Sequence, residues 1–576
     1  MKVCSVSLAM RAWLNTYACV AGLACLALAG GAHAQALPDA GRIQQQLEQS
    51  IPPPASTPLD PLPAEQPASA RDQPRIVLHQ VIVEGAQLIP AAELEQAFAA
   101  HLNHPVGLDT LQRTAQSLVA LYRQRGWFAR VTLPAQDVSG GVLRVQVVEA
   151  RFGTLHLAPG ATRANADFVA RMVGGRLQEG QHYSMDDLER GLLLANDLPG
   201  IQADGVLKAG SAPGSSDLAL TVRDTAWLSG QLSAGNQGSR TTGYAQAVGQ
   251  LALNDLSGYG DQIRLTGVRA EDLDYVQLGY ATPLGTDGLR LDLDVSRLNY
   301  RLGKEFEDLD AEGRFDVYQV GLSYPLTRLA ARNLWVSFGL AHRDSRDEVL
   351  GIVVRERDVD SATLSLYGDQ RSEQGGSAFS WRLDLSQGEA RLQRADDRAS
   401  DQDGPRIAGS FTRLNGNALW DQWLAPAWYL RVRGSGQWAP NNLDSSQQFS
   451  LGGMYGVRGY PTSEGAGDSG VLMQLEVHRL LGDLGLPGFE AYAFLDGGVV
   501  RQHHSLWSGW NTAESEHNTY ALYASGLGLR WSHASGLGLD AVLAAPLGSN
   551  PGTSDGHNQD GSRKGPRAWL TATYTF

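Results

Sequence analysis

The sequence predicts a membrane β-barrel of about 16 antiparallel strands preceded by two α/β domains. Three observations carry this reading. From Trp227 to Phe576, apolar and polar residues alternate with the period of a β-strand. Upstream, residues 75–225 run twice through the order strand, helix, helix, strand, strand, in units of roughly 75 residues. The chain also opens on a secretory signal that contains all three of its cysteines.

Residues 1–34 form that signal. Lys2 and Arg11 supply a positive start, Tyr17 to Ala29 is an unbroken run of small apolar residues, and Ala32-His33-Ala34 offers a cleavage site before Gln35. A lipoprotein reading centred on Cys25 is disfavoured, because Gly22-Leu23-Ala24 matches a lipid-attachment box poorly. After cleavage the chain has no cysteine. Disulfides, a thiol nucleophile and a Cys-based zinc or iron–sulfur site are then excluded, and a large core or a membrane must hold the fold.

Residues 35–50 are polar, with Ile43 and Leu47 four apart. They read either as one short helix or as a disordered start. Residues 51–74 are rich in Pro and Ala and read as an extended linker. The first repeat covers residues 75–150. Val77–Val83 is its opening strand, and 91–101 and 108–125 are its helices. The second helix carries Leu111, Ala115, Leu118 and Tyr122 at helical spacing and ends at Gly126. Residues 128–133 and 142–148 are its closing strands. The second repeat covers residues 151–226 in the same order.

Residues 227–576 are the barrel. Leu289, Leu291, Leu293 and Val295 alternate with Arg290, Asp292, Asp294 and Ser296. Phe379 to Ser386 and Val471 to His478 alternate in the same way. A soluble sandwich alternates too. The secretory signal, the missing cysteines and the tryptophans favour a membrane, since 11 of the 13 Trp fall here, many near strand ends as in interfacial girdles. The last strand places Leu570, Ala572, Tyr574 and Phe576 on one face. It has to pair with the first strand, because unpaired backbone in lipid costs several kcal/mol per group. No stretch after the signal is long and apolar enough for a membrane helix.

At 43% hydrophobic residues the chain is no disordered protein, and a formal charge of −14 argues against nucleic acid as a partner. Catalytic and metal motifs are weak. Gly467-Asp468-Ser469-Gly470 looks like a serine-protease loop but has no triad partners nearby, so a polar loop is preferred. Asp308-x-Asp310-x-Glu312-Gly313 starts like a calcium loop but has Gln319 where a bidentate Glu belongs. His503-His504 has no evident third ligand. No enzyme activity, metal or cofactor is expected.

The specific signal is the glycine-rich stretch Gly452–Pro461, with Arg458 at its tip, followed by Phe494-Leu495-Asp496-Gly497-Gly498 on a strand. If the loop folds into the barrel, Arg458 needs a buried acceptor, and Asp496 could be its charge-assisted partner. The alternative is a glycine turn with an exposed arginine.

Val457-Arg458-Gly459-Tyr460 and the Phe494-x-Asp496-x-Gly498 strand resemble the two barrel motifs of outer-membrane transporters of two-partner secretion, the ShlB/FhaC/HecB family. Tyr122-Arg123-x-x-Gly126-Trp127, together with Leu133-Pro134-x-Gln136-Asp137, resembles that family's first POTRA domain. Asn196-Asp197-Leu198-Pro199-Gly200 resembles the second. The resemblance implies a 16-strand barrel in the outer membrane of a Gram-negative bacterium, with two periplasmic POTRA domains. It implies a helix that plugs the pore, with its tether, and an inward loop near residues 450–469. Also implied is export of one large partner protein (an adhesin, a haemolysin or cytolysin, or a contact-dependent toxin), held in extended form by the POTRA domains and moved without ATP. Outer-membrane lipid or lipopolysaccharide, and the barrel-assembly machinery during biogenesis, are the other implied partners. A barrel-assembly factor is the alternative, although two POTRA domains favour secretion.

Overall fold

The computed structural model describes residues 37–52, 75–372, 376–511, 517–553 and 556–576. The expected secretory signal, residues 1–34, and most of the expected linker, residues 51–74, lie outside the described residues.

The two α/β units share one topology. In the first, strand Val142–Glu149 lies between Gln80–Glu84, which it pairs in parallel, and Ala129–Thr132, which it pairs antiparallel. In the second, Ser215–Asp224 lies between Arg151–Leu157 (parallel) and Ile201–Ala209 (antiparallel). Each sheet packs on its helices, Leu108–Gln124 in the first unit and Ala166–Gly174 with Met185–Asn196 in the second. The opening strand differs from expectation. Leu78 is fully buried and turns the chain, so Arg75–Val77 leaves the sheet and pairs instead with Pro105–Gly107.

The rest is one closed barrel of sixteen described strands, every neighbouring pair antiparallel. Its first half comprises β1 (Leu228–Gly235), β2 (Gln246–Asn254), β3 (Gln262–Ala270), β4 (Leu273–Pro283), β5 (Arg290–Arg301), β6 (Glu312–Arg328), β7 (Arg332–Val349) and β8 (Ile352–Arg371). The second half comprises β9 (Ser377–Leu392), β10 (Gly409–Ala425), β11 (Trp428–Trp438), β12 (Ser469–Leu480), β13 (Phe489–Arg501), β14 (Thr519–Ser532), β15 (Leu537–Leu547) and β16 (Arg567–Thr575). β16 pairs with β1 from Thr571↔Gly235 to Thr575↔Gln231. Phe576 and Gly230 then exchange backbone hydrogen bonds of 3.0 and 2.9 Å, which leaves no free sheet edge in lipid. Tyr574 and Phe576 stack at 5.8 Å on the outer surface beside this seam.

The alternation resolves as a barrel with its apolar side outward. On β12, Val471 and Met473 are 62% and 59% exposed, whereas Gln474 and His478, on the opposite face of the same strand, are 2% and 0% exposed. A soluble sandwich would reverse this. β6 to β10 run 16 to 20 residues, well beyond the ~9–11 that cross a bilayer. They therefore rise above the membrane on the side opposite the α/β units.

Helix α1 (Ala40–Ser50) lies inside the barrel. Asp39 caps it by accepting the Arg42 N–H at 2.9 Å. Eleven residues make a marginal helix in water, so the lumen has to hold it. Ile43 and Leu47 pack among inward residues Leu298, Tyr300 and Phe315, worth about 1.5–3 kcal/mol per buried side chain. The Ala40 N–H donates to Asp347 at 2.9 Å, Gln246 donates to Ser50 Oγ at 3.0 Å, and Gln49 donates to Ser450 Oγ at 2.5 Å.

Candidate functional site

The site is the long loop between β11 and β12, which folds back into the lumen instead of standing outside. Its base is a two-residue ladder, Phe449–Ser450 with Ala466–Gly467. Above it, Val457 N–H donates to Leu451 O (2.7 Å) and Gly452 N–H to Glu464 O (2.8 Å), so the loop is a closed, self-bonded finger. Its tip lies hard against the wall. A Cβ on Gly459 would sit 2.8 Å from Pro546 N and 2.9 Å from Ala524 Cβ. Across the gap, a Cβ on Gly498 would meet Leu451 Cδ2 at 2.4 Å. Both glycines let backbone and wall approach closely.

Arg458 is 3% exposed and fully engaged. Its Nε and Nη2 donate to Asp496 at 2.8 and 2.6 Å, a two-pronged contact, and its own backbone N–H donates to the same carboxylate at 3.1 Å. Nη1 donates to Glu476 on β12 at 2.6 Å. The guanidinium lies 3.6 Å from the Phe494 ring centroid, a cation–π contact. Trp569 Nε1 on β16 donates to the Arg458 carbonyl at 2.9 Å. Val457 and Tyr460 fill an apolar pocket with Leu472, Val500, Tyr520 and Leu522. Below Glu476, His478 Nε2 lies 2.9 Å from its second oxygen, while Nδ1 pairs with Glu490. The His478 ring lies between Tyr429 and Tyr492, at 4.3 and 4.9 Å. Charge placed this deep costs much to form and more to break: removing one partner of a buried pair costs about 3–5 kcal/mol.

The loop's shoulders are tied to the outer loops. Glu464 accepts from Asn550 Nδ2 (2.5 Å) and from the Gln559 N–H (2.8 Å). Asp468 accepts the Leu443 and His504 N–H groups at 3.0 and 2.8 Å. The protease-like stretch is thus architectural: Asp468 binds amides, and Ser469 Oγ accepts the Ala439 N–H at 3.0 Å. The loop also meets α1, as Ser445 Oγ donates to Asp39 (2.7 Å), Arg42 to Gln448 (3.2 Å), and Gln45 to the Gln448 carbonyl.

Among the described residues no group of three or more His, Cys, Asp or Glu is disposed to hold a metal ion. Lys304–Leu309 is a short 3-10 turn that leads into β6, and the His503 ring packs edge-on against Trp507.

Sequence reasoning brought Arg458 and Asp496 together but missed Glu476 and Trp569. Glu476 follows from the alternation of β12, since it shares the inward face with Gln474 and His478. Trp569 is an exception to the girdle: it is 4% exposed and faces inward.

The expected POTRA positions divide by place. Tyr122 is fully buried and donates to Glu149 at 2.7 Å. Burial, reinforced by that carboxylate, holds its hydroxyl well above the usual tyrosine range. Gly126 sits at the junction of the two units, its carbonyl accepting the Met185 N–H at 2.7 Å. Leu133 packs on the first core, and Pro134 is exposed beside it. The Gln136 amide both donates to and accepts from the Arg144 backbone at 2.7 Å, imitating a strand neighbour. Leu198 and Gly200 face the barrel, Leu198 against Gly260 and Gly200 against Asp255, with the partly buried Pro199 between them in the chain. Asp197 pairs with Arg328 at 2.7 and 2.8 Å, and Arg190 donates to the Pro325 and Asp287 carbonyls at 3.0 and 3.2 Å.

An outer-membrane barrel with an inward loop locked by a buried Arg–Asp pair, carrying α/β repeats beneath it, defines the polypeptide-transporting and barrel-assembling class. Residues 214–530, over half of the chain, match the haemolysin secretion/activation protein family ShlB/FhaC/HecB, and residues 76–150 match its POTRA domain. The chain belongs to that family. It is 24% identical over 550 residues to the heme/hemopexin transporter protein HuxB of Haemophilus influenzae (strain 86-028NP), covering 94% of this chain and 95% of that one. It is 24% identical over 467 residues to the outer membrane transporter CdiB of Dickeya dadantii (strain 3937), covering 77% and 80%. The solved structure of CdiB from Escherichia coli superposes with a TM-score of 0.69 at 20% identity, over 94% of this chain and 99% of that one. The protein is thus an outer-membrane β-barrel transporter of two-partner secretion with periplasmic POTRA domains.

Proposed function

We propose that the protein exports one large partner protein from the periplasm to the cell surface, and that Arg458 holds the pore in its resting form. Among the described residues the outer strands of each POTRA sheet pair with one neighbouring strand only, Gln80–Glu84 and Ala129–Thr132 in the first, Arg151–Leu157 and Ile201–Ala209 in the second; their outer edges are capped locally, Val83 by Glu95, Phe152 by Gly180 and Gln181, and Ala203 by Asn196. Such edges accept an extended peptide by β-augmentation. Asp197, Arg190 and Leu198 fix the second domain under the barrel, so a bound segment is delivered to the pore mouth. The observation that carries the reading is that removable pieces fill the lumen. These are α1, joined to the first POTRA domain only through residues 51–74, and the loop pinned by Arg458. The 22 residues 53–74 can span at most about 75 Å, so α1 can leave the lumen and stay tethered. Movement needs no nucleotide if the partner folds outside and cannot return. The reading assigns no chemical reaction to the chain.

Arg458→Ala is expected to reduce export to about a tenth or less of wild type, while heat-modifiable mobility shows the barrel still inserted. Unchanged export removes the role of the pair. Mass spectrometry of culture supernatant and outer membrane, with and without the gene, tests the function itself. Loss of one large exoprotein supports a dedicated exporter, and depletion of several outer-membrane barrels supports an assembly factor.

A further inference from the structure

The inner wall formed by β5 to β10 is polar and faces a cavity of about 540 Å³, lined among others by Asp292, Asp384, Arg343, Arg382 and Arg413. Most inward arginines of the barrel are neutralised within the wall. Arg264 pairs with Asp292 and Asp294, Arg382 with Asp384, Arg431 with Asp421, and Arg530 with Asp540. Arg343 and Arg413 differ. Their hydrogen bonds go to neutral oxygens, Arg343 to Ser361 Oγ at 2.9 Å and Arg413 to the Gln447 carbonyl at 3.3 Å. Among the described residues neither has a carboxylate at ion-pair distance, and the buried Nε of Arg413 has no partner. Both line the same cavity. Glu48 of α1, exposed inside the lumen and accepting from Gln44 at 3.0 Å, is a carboxylate that bears on both. The other carboxylates near them are already committed, Asp384 to Arg382 and Asp444 to Arg357.

We infer that Arg343 and Arg413 form a carboxylate-binding site in the pore, screened at rest by Glu48 of α1 and open to acidic side chains of an extended polypeptide once α1 departs. The inference rests on the transport reading for its physiological ligand, but not for its chemistry. Two guanidinium groups lining one confined, partly desolvated cavity attract a carboxylate more strongly than they do at a surface. Glu48 thus has a second use. It favours the seated helix, and an arriving acidic segment competes with it for the same two cations. The wall then senses cargo by charge without reading its sequence.

The test is fluorescence anisotropy of labelled decaglutamate, with labelled decalysine as the control, on the purified full-length protein in detergent. Heat-modifiable mobility confirms that each variant is folded. E48Q is expected to bind decaglutamate about tenfold more tightly than wild type, the equivalent of one charge-assisted contact. E48Q/R343Q/R413Q is expected to lose that gain, and E48Q/R343K/R413K to keep most of it. Decalysine is expected to show none of these differences. Equal binding of decaglutamate by E48Q and by the triple glutamine variant, or none by E48Q, overturns the site. Export of the partner, followed separately in cells, distinguishes the two readings: absent export with intact binding refutes the transport reading alone, and normal export with no binding refutes the site alone.

Discussion

Arg458 carries the largest local consequence of any single side chain, because it satisfies two carboxylates that nothing else nearby can neutralise as completely. Its partners are expected to matter in graded order. Asp496→Asn removes the two-pronged contact and is expected to cost about 3–5 kcal/mol of loop anchoring. Trp569→Phe removes one hydrogen bond to a carbonyl and is expected to cost about 1 kcal/mol. Limited proteolysis of the 451–468 loop in purified barrels checks this, with cleavage fastest in Asp496→Asn, slower in Trp569→Phe and slowest in wild type. Equal rates in all three would mean that the pair does not restrain the loop. Much of this site was legible in the sequence. A glycine-dense stretch around one arginine announces a backbone that must pass close to something, and an aspartate on a barrel strand is an available acceptor. The inward face of Trp569 follows from the alternation, since Leu570, Ala572, Tyr574 and Phe576 take the other one; its bond to the Arg458 carbonyl was not legible, because aromatic residues near strand ends belong to the lipid side in most barrels and nothing in the strand says where the loop docks.

Among the elements, helix Met185–Asn196 and the segment after it form the joint between POTRA domain and barrel. The Asp197–Arg328 pair is partly exposed, so its direct contribution to stability is small, but it sets an angle. Charge reversal at either end, Asp197→Arg or Arg328→Asp, is expected to reduce export severalfold, and the double reversal to restore most of it. Failure of the double variant to recover would show that the joint is held by Leu198 and Arg190 rather than by this pair. The repeat, its helices and their order followed from periodicity. The break at Leu78 did not, because a buried leucine inside an apolar run looks the same whether the strand continues or turns inward. The length of β6 to β10 was equally hidden, since the alternation persists above the membrane with charged residues on both faces.

For the molecule as a whole, the closed wall is permanent and the contents of the lumen are replaceable. Removing residues 37–52 is expected to raise single-channel conductance in planar bilayers severalfold without changing heat-modifiable mobility, because α1 fills space and joins no sheet. An unchanged conductance would place the main obstruction in the loop rather than in the helix. The fold class was legible because a barrel writes one rule along its entire length. The seating of α1 was not. Its polar sequence has too weak an apolar stripe to announce a partner surface, and Ile43 and Leu47 find theirs only among residues such as Leu298, Tyr300 and Phe315, which β5 and β6 bring together.

The anchors at the loop's shoulders also bear on how this surface can vary between homologous chains. Asp468 grips the outer loops through main-chain amides of Leu443 and His504, and Glu464 takes one through Gln559. Any residue except proline supplies that amide. Substitution of His504 can therefore change the surface while the fastening stays as it was, whereas Leu443 is buried in an apolar cluster and the Gln559 side chain accepts the Gly465 N–H, so those two are held on other grounds. Asn550, which fastens Glu464 through its side chain, has no such freedom, so sequence variation is expected to pass over it and accumulate around it.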